Sequence, residues 1–402
     1  MKDLRGCFLL SVIILRPENK LSSQGFLKAS GKQIINSKGE NVLLRGIGLG
    51  GWMLQEPYML QLSEAAVAQY DIKEKITGLI GKDNCDKFYS NWLNNMITER
   101  DIDSLMAWGF NSIRLPMHYN LFTMPIEQEP VKGQDTWLKT GFDLTDKLLA
   151  WCKKNKIYLI LDLHAAPGGQ GNDKPIADVD TTKPRLWENS YNQFKTIALW
   201  KKLASRYANE EWIGGYDLLN ETNYKMEGNE PLKKLFIEIT NAIRSVDPNH
   251  IIFIEGNQFA NDYTGLTPPW DNNMAYSFHK YWNQPTLETI KKYIDIREQF
   301  NVPIWMGESG ENNNDWYRSV VNLLENNNIG WAWWTLKKVG SESGIMNVKM
   351  PAGYRKIIDY WAGKGAKPSQ EVAKTALAEL AENVKIEKCK INYPVLEALL
   401  GK

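Results

Sequence analysis

Eight short apolar runs, spaced by longer amphipathic stretches, leave few folds open to this chain. The runs are VLLRGIGLGG (42–51), SIRLP (112–116), IYLILDLH (157–164), GGYDLLNE (214–221), IIFIEG (251–256), AYSFHKY (275–281), PIWMGES (303–309) and GWAWWTLK (330–337). They are too short for helices and rich in Ile, Leu, Val and aromatics, as strands buried on both faces must be. Between them, apolar residues recur at helical spacing. Leu144, Leu148, Leu149 and Cys152 precede the third run, and Tyr317, Val320, Val321 and Leu324 precede the eighth. Leu232, Leu235, Phe236, Ile239 and Ile243 precede the fifth, and Asp247-Pro248 stops that helix. The gap after IIFIEG reads mostly as loop. Strands alternating with helices make a parallel sheet, and eight of them close an α/β fold into a (β/α)8 TIM barrel. A doubly wound sheet is the weaker alternative, since no GxGxxG or P-loop motif follows any run.

The flanks complete the layout. FLKASGKQIINSKGENVLLRG reads as a β-hairpin with its turn at Ser37-Lys38-Gly39. Residues 346–402 show no barrel strand and include a helix, SQEVAKTALAELAENV, opened by Ser369. The expected organisation is a barrel domain over 26–345 with a helical extension over 346–402. In the first residues, MKDLRGCFLLSVIIL, Lys2 and Arg5 precede an apolar stretch as in an export signal, although Asp3 intrudes. A leader over 1–25 and a secreted or periplasmic location are therefore expected. Lys and Arg number 48 against 47 Asp and Glu, a net charge of +1, so no bulk attraction to nucleic acid or anionic membrane exists. No apolar run approaches the roughly 20 residues of a membrane span. Cys7, Cys85, Cys152 and Cys389 are scattered without a CxxC pair, and Cys152 falls on an apolar helix face as a small hydrophobe.

In such barrels the active site forms at the C-terminal ends of the strands. Polar residues ending the apolar runs are Arg114, His164, Asn220-Glu221, Glu255, His279 with Tyr281, and Glu308, joined by Trp331, Trp333 and Trp334. Two carboxylates on different strands, among Arg, His, Tyr, Asn and Trp, suit hydrolysis of a glycosidic bond. One protonates the leaving oxygen, and the other attacks or stabilises an oxocarbenium-like carbon. A metal site is improbable, because no HExxH occurs and the four histidines are scattered. The 16 Trp, 17 Tyr and 12 Phe also suit a ligand with flat apolar faces and hydroxyl edges.

LRGIGLGGW, GFNSIRLP, LDLH, DLLNE, HKY, PIWMGES and WWTL, in this order over roughly 32–345, resemble the successive strand motifs of glycoside hydrolase family 5, the cellulase family. The resemblance implies a retaining β-glycosidase without metal or organic cofactor. Residue by residue, it implies Glu221 as acid/base and Glu308 as nucleophile. Arg114 and Tyr281 would hydrogen-bond Glu308, Asn220 would bind the sugar 2-hydroxyl, His164 and His279 would line the site, and Trp334 would lie beneath the reacting sugar. The family's usual Pro after the strand-four Glu is replaced by Thr222-Asn223, which leaves the leaving-group side open to question. Trp331 and Trp333 are read as packing and His118 as structural, while Glu56, Glu255 and Glu311 fall outside the matching positions.

The resemblance implies an endo-β-glucanase acting on a β-linked polysaccharide or oligosaccharide, and a monomer is expected. Trp52, Trp137, Trp187, Trp282 and Trp316 are expected to stack successive sugars. A mannanase, xyloglucanase or exo-β-1,3-glucanase with the same mechanism is the alternative, since GIGLGGW and HAAPGGQGND resemble the exo-glucanase branch. A non-catalytic carbohydrate-binding barrel is a third reading, disfavoured by the intact carboxylate pair.

Overall fold

In the computed structural model, which describes residues 25–401, eight parallel strands close into a barrel. They are β1 (Arg45–Gly48), β2 (Ser112–His118), β3 (Tyr158–Ala165), β4 (Ile213–Asp217), β5 (Ile252–Glu255), β6 (Met274–Lys280), β7 (Ile304–Gly310) and β8 (Gly330–Trp334). β8 pairs with both β7 and β1, so no sheet edge is left open. Every residue of β2 through β7 is buried, as strands covered on one face by helices and on the other by the barrel core require. Large rings fill that core: Trp305 and Phe253 lie 4.8 Å apart and tilted by 52°.

Between β1 and β2 the chain builds α1 (Gln69–Ile80), α2 (Lys82–Asn95) and α3 (Glu99–Trp108). Then come α4 (Lys139–Asn155), α5 (Ser190–Tyr207), α6 (Glu230–Arg244), α7 (Leu287–Phe300) and α8 (Asn314–Asn326). The apolar spacings identified above form their buried faces, including Cys152 on α4. α3 is capped by Thr98, whose N–H donates to Asp101 Oδ2 at 2.8 Å, and α8 by Asn313, whose side chain accepts from the Trp316 N–H at 3.0 Å. After β5 there is only a short turn at Asn257–Ala260, in keeping with a loop.

The hairpin turns elsewhere than expected. Lys28–Ser30 pairs with Gln33–Ile35 around Gly31-Lys32, and Ser37-Lys38-Gly39 makes a second turn that returns the chain to a lone bridge at Asn41. Gly31 has φ +55, which a Cβ disfavours, so it takes the tight turn. Beyond β8 the chain forms α9 (Ala352–Trp361), α10 (Gln370–Asn383) and α11 (Tyr393–Leu400), with α10 opened by Ser369 Oγ accepting from the Val372 N–H. This region is not wholly helical. Met346–Val348 and Lys390–Ile391 join Lys337–Val339 in a small sheet outside the barrel. α10 packs on α2 and α11 on α8. Lys337, fully buried, ties the extension down: its Nζ meets Asp101 Oδ1 at 2.6 Å and donates to the carbonyls of Met96 and Val384. All but the last residue of the expected leader lies outside the described residues. No helix among the described residues is long and apolar enough to cross a membrane.

Candidate active site

Arg114, in the middle of β2, sits fully buried beneath the mouth of the barrel. Its Nε donates to Asp217 Oδ2 at 3.0 Å and its Nη1 to Glu308 Oε2 at 2.7 Å. Its Nη2 donates to Asn220 Oδ1 at 2.8 Å and Glu255 Oε1 at 2.9 Å, with Asp162 Oδ2 at 3.2 Å. Four carboxyl groups thus converge on one guanidinium, and His279 Nε2 also comes within 3.2 Å of Glu255 Oε1. Ionising all four would bury uncompensated charge. The outcome is a split: burial pushes Asp162 and Asp217 well above the ordinary carboxylate range. Burial would raise Glu255 too, but His279 and Arg114 outweigh it and draw it down to about 2.

Glu221 and Glu308 stand over this network. β4 ends at Asp217, and the next residues leave the ladder, so Glu221 reaches the mouth with φ +35. Its N–H is held by Glu255 Oε2 at 2.7 Å, and its Oε1 lies 2.6 Å from His279 Nδ1. His279 Nε2 lies 3.2 Å from Glu255 Oε1, an electrostatic contact without hydrogen-bond alignment. Although burial opposes it, these carboxylates and Glu308 raise the His279 pKa well above its ordinary value. A register shift between Phe278 and His279 brings His279 opposite Glu308 on β7. Tyr281 donates to Glu308 Oε1 at 2.7 Å, so both oxygens of that carboxylate carry a donor. One carboxylate oxygen of Glu221 and one of Glu308 lie within 4.8 Å of each other.

His164 donates through Nδ1 to Asp162 Oδ2 at 2.7 Å, and its Nε2 faces the Asn220 amide at 3.3 Å. Those partners fit a neutral ring, and burial holds its pKa down at about 4. Its imidazole stacks on Trp334 with centroids 5.3 Å apart and planes 6° from parallel. Trp334 in turn donates through Nε1 to Tyr58 Oη at 2.6 Å. A Cβ on Gly48 or Gly50 would come within 2.9 Å or 2.4 Å of the Trp334 ring, so the glycines of GIGLGG let the indole lie against β1.

Above these residues opens a cleft of about 810 Å³ lined by His164, Glu221, His279, Tyr281, Glu308 and Trp334. Every residue singled out for the site borders this cleft or, as with Arg114 and Asn220, lies in the network under it. Others set aside on sequence are here as well. Glu255 anchors Glu221, while Glu56 and Glu311 line the cleft. Glu56 is buried, and desolvation together with Glu308 and Glu221 pushes its carboxyl well above the ordinary range. Asp162 and Asp217 went unnoticed. An acid inside an otherwise apolar strand, in LILDLH and GGYDLLNE, was the available signal, because it demands a buried cation. The expected row of tryptophans does not form. Trp52 and Trp316 are buried, Trp137 and Trp187 are not among the residues lining the cleft, and Trp282, 72% exposed, alone of the five lines it. Trp331 and Trp333 are core residues.

Among the described residues, two sets of donors converge closely enough to hold a cation: Glu221, His279 and Glu308, and Asp162, Asp217 and Glu255. The second already shares Arg114. The first is hydrogen-bonded through Tyr281, Arg114 and the His279–Glu221 contact.

Residues 70–340 match the family model described as cellulase, glycosyl hydrolase family 5. The chain belongs to that family. It is therefore a glycoside hydrolase, and its barrel has the family's fold. Among curated family 5 relatives and others, it is 29% identical to a β-xylosidase of Phanerodontia chrysosporium, over 84% of this chain and 76% of that one. It is 25% identical to endoglucanase C of Acetivibrio thermocellus, over 74% of this chain and 92% of that one. The solved catalytic domain of an endoglucanase from Thermobifida fusca superposes with a TM-score of 0.54 at 18% identity, covering 88% of this chain and 98% of that one, a likeness of fold.

Proposed function

We propose that this family 5 member is a retaining β-glucan hydrolase, with Glu308 as nucleophile and Glu221 as acid/base. The observation that carries the reading is the carboxylate spacing. A closest approach of the two carboxylates within 4.8 Å fits the roughly 5–5.5 Å of double displacement better than the roughly 6.5–9.5 Å between the carboxyls of an inverting enzyme. Arg114 and Tyr281 each donate to one oxygen of Glu308 and would hold the carboxylate aimed at the anomeric carbon. Glu308 attacks as the glycosidic bond breaks, and Glu221, its Oε1 lying 2.6 Å from His279 Nδ1, gives a proton to the departing oxygen. Glu221 then takes a proton from water, which attacks the glycosyl-enzyme and releases Glu308. Asn220, held by Arg114, would bind the sugar 2-hydroxyl.

The endo mode expected from the resemblance draws on Trp282 at the cleft mouth, which would stack a sugar beyond the cleavage point. A second reading, attack from a chain end, is favoured by the segment after β3, whose Asp173, Pro175 and Ile176 wall one side of the cleft. Action outside the cell would suit a polymer substrate.

Azide tests the roles. With an activated aryl β-glucoside, Glu221→Ala should still form the glycosyl-enzyme, and azide should accelerate turnover to a β-glycosyl azide. If azide yields the β-product only with Glu308→Ala, the roles are reversed. Reducing-sugar release from cellulosic, β-1,3-glucan, xylan and mannan substrates, with products from one defined oligosaccharide, decides sugar and mode. No hydrolysis of any would leave a binding barrel.

A further inference from the structure

A second cleft, about 640 Å³, opens at the same end of the barrel, and the proposed reaction makes no use of it. Its volume falls within the roughly 300–1,000 Å³ typical of ligand clefts. The segment 171–185 divides it from the reaction cleft. Pro175 and Ile176 face one side, Asp178 and Lys183 the other, and no residue lines both. The partition is fixed in place. Asp178 Oδ1 accepts from the Tyr70 backbone N–H at 2.8 Å, and its Oδ2 lies 2.9 Å from His118 Nε2. His118 Nδ1 accepts from the Asn120 N–H at 3.1 Å, so the ring proton sits on Nε2 and is donated to Asp178. Ala177 and Val179 are buried behind it.

The walls combine ring faces with polar side chains that no other described group of the protein engages. Tyr70 and Tyr119 are half-buried, and the Tyr119 ring lies 5.2 Å from that of His118. Among the described residues, the hydroxyls of Tyr70 and Tyr119 and the side-chain amide of Asn120 have no hydrogen-bond partner. Of the charged groups in the wall, Lys183 pairs with Glu127 and Asp180 and Asp178 with His118, while Lys73 lies over the Tyr89 ring and Glu74 makes no salt bridge among the described residues. Flat apolar faces edged by neutral donors and acceptors match a pyranose.

We propose that this cleft is a second carbohydrate site, binding a neutral β-linked oligosaccharide segment apart from the one being cut. The choice of glycan rests on the proposed function; the existence of the site does not. Calorimetry of cellopentaose and laminaripentaose on Glu308→Gln protein tests it without turnover. Two binding events are expected with at least one of these sugars. Tyr70→Ala, which keeps the backbone N–H that holds Asp178, should remove one, and Asn120→Ala should weaken the same event by about fivefold. A single event with each sugar, or a second event untouched by both variants, overturns the proposal. Loss of the reaction-cleft event with the second retained would instead count against the proposed function. In hydrolysing protein, Tyr70→Ala should lower kcat/KM on polymer by about fivefold and spare a small aryl glycoside if one chain fills both clefts. Unchanged polymer kinetics with the binding loss means that a separate chain is held.

Discussion

The Arg114 guanidinium reaches Asp217, Asn220, Glu255 and Glu308 at once, so one side chain orients the nucleophile and sets the charge balance of the pocket floor. Glu221, Glu308, His279 and Tyr281 were legible in sequence because each ends an apolar run, where a barrel displays its chemistry. The floor was not, since reading Asp162, Asp217 and Glu255 as a set requires knowing which strands neighbour one another. The left-handed conformations of Glu221, Trp282 and Glu311, all at the mouth, also leave no trace in residue type. His164 carries a prediction at this scale. It faces Arg114, Asp162 and the cleft carboxylates, yet burial holds its pKa at about 4 against an ordinary 6.5. Below pH 6.5 the unfolded chain takes up a proton that the folded ring refuses, so the stability associated with His164 is whole above 6.5 and lost as pH falls toward 4. The raised His279 pKa acts in the opposite direction, favouring the fold at low pH. Urea unfolding of wild type and His164→Gln across this window isolates the first effect. The stability gap between them should shrink by up to about 3 kcal/mol from pH 6.5 to 4. A gap independent of pH would mean that the ring is already charged in the fold.

At the level of elements, β1 and β8 work as a pair. Gly48 and Gly50 clear space for Trp334, and the indole is then fixed by Tyr58 on its edge and His164 alongside. The strands and the long amphipathic helices followed from apolar periodicity. The hairpin turn was misplaced because SKG and SGK are both good turn sequences, and strand pairing across Gly31-Lys32 decides between them. The small sheet beyond β8 escaped notice because two- and three-residue strands carry no periodic signal. That sheet starts at Lys337, whose buried pairing with Asp101 joins α3 to the C-terminal region. Lys337→Met should strand the Asp101 carboxylate and cost about 3–5 kcal/mol in urea unfolding. A loss below about 1 kcal/mol would show that the pair adds nothing net to the attachment.

For the molecule as a whole, barrel closure brings β4 and β7, far apart in sequence, to the same mouth, and turns two isolated Glu motifs into one cleft. The order of motifs carried this much. The breadth of the cleft was not legible, because exposure of a tryptophan depends on loops whose course no local pattern fixes, and of the anticipated row Trp282 alone lines the cleft. Everything proposed about the reaction depends on Glu308 attacking the sugar and Glu221 assisting twice. The most direct check is the anomeric configuration of the first product, followed by NMR from the first moments of hydrolysis of a β-linked oligosaccharide, before mutarotation. Double displacement predicts that the β-anomer appears first. An α-anomer formed first would contradict it and require direct attack by a water held between the carboxyls.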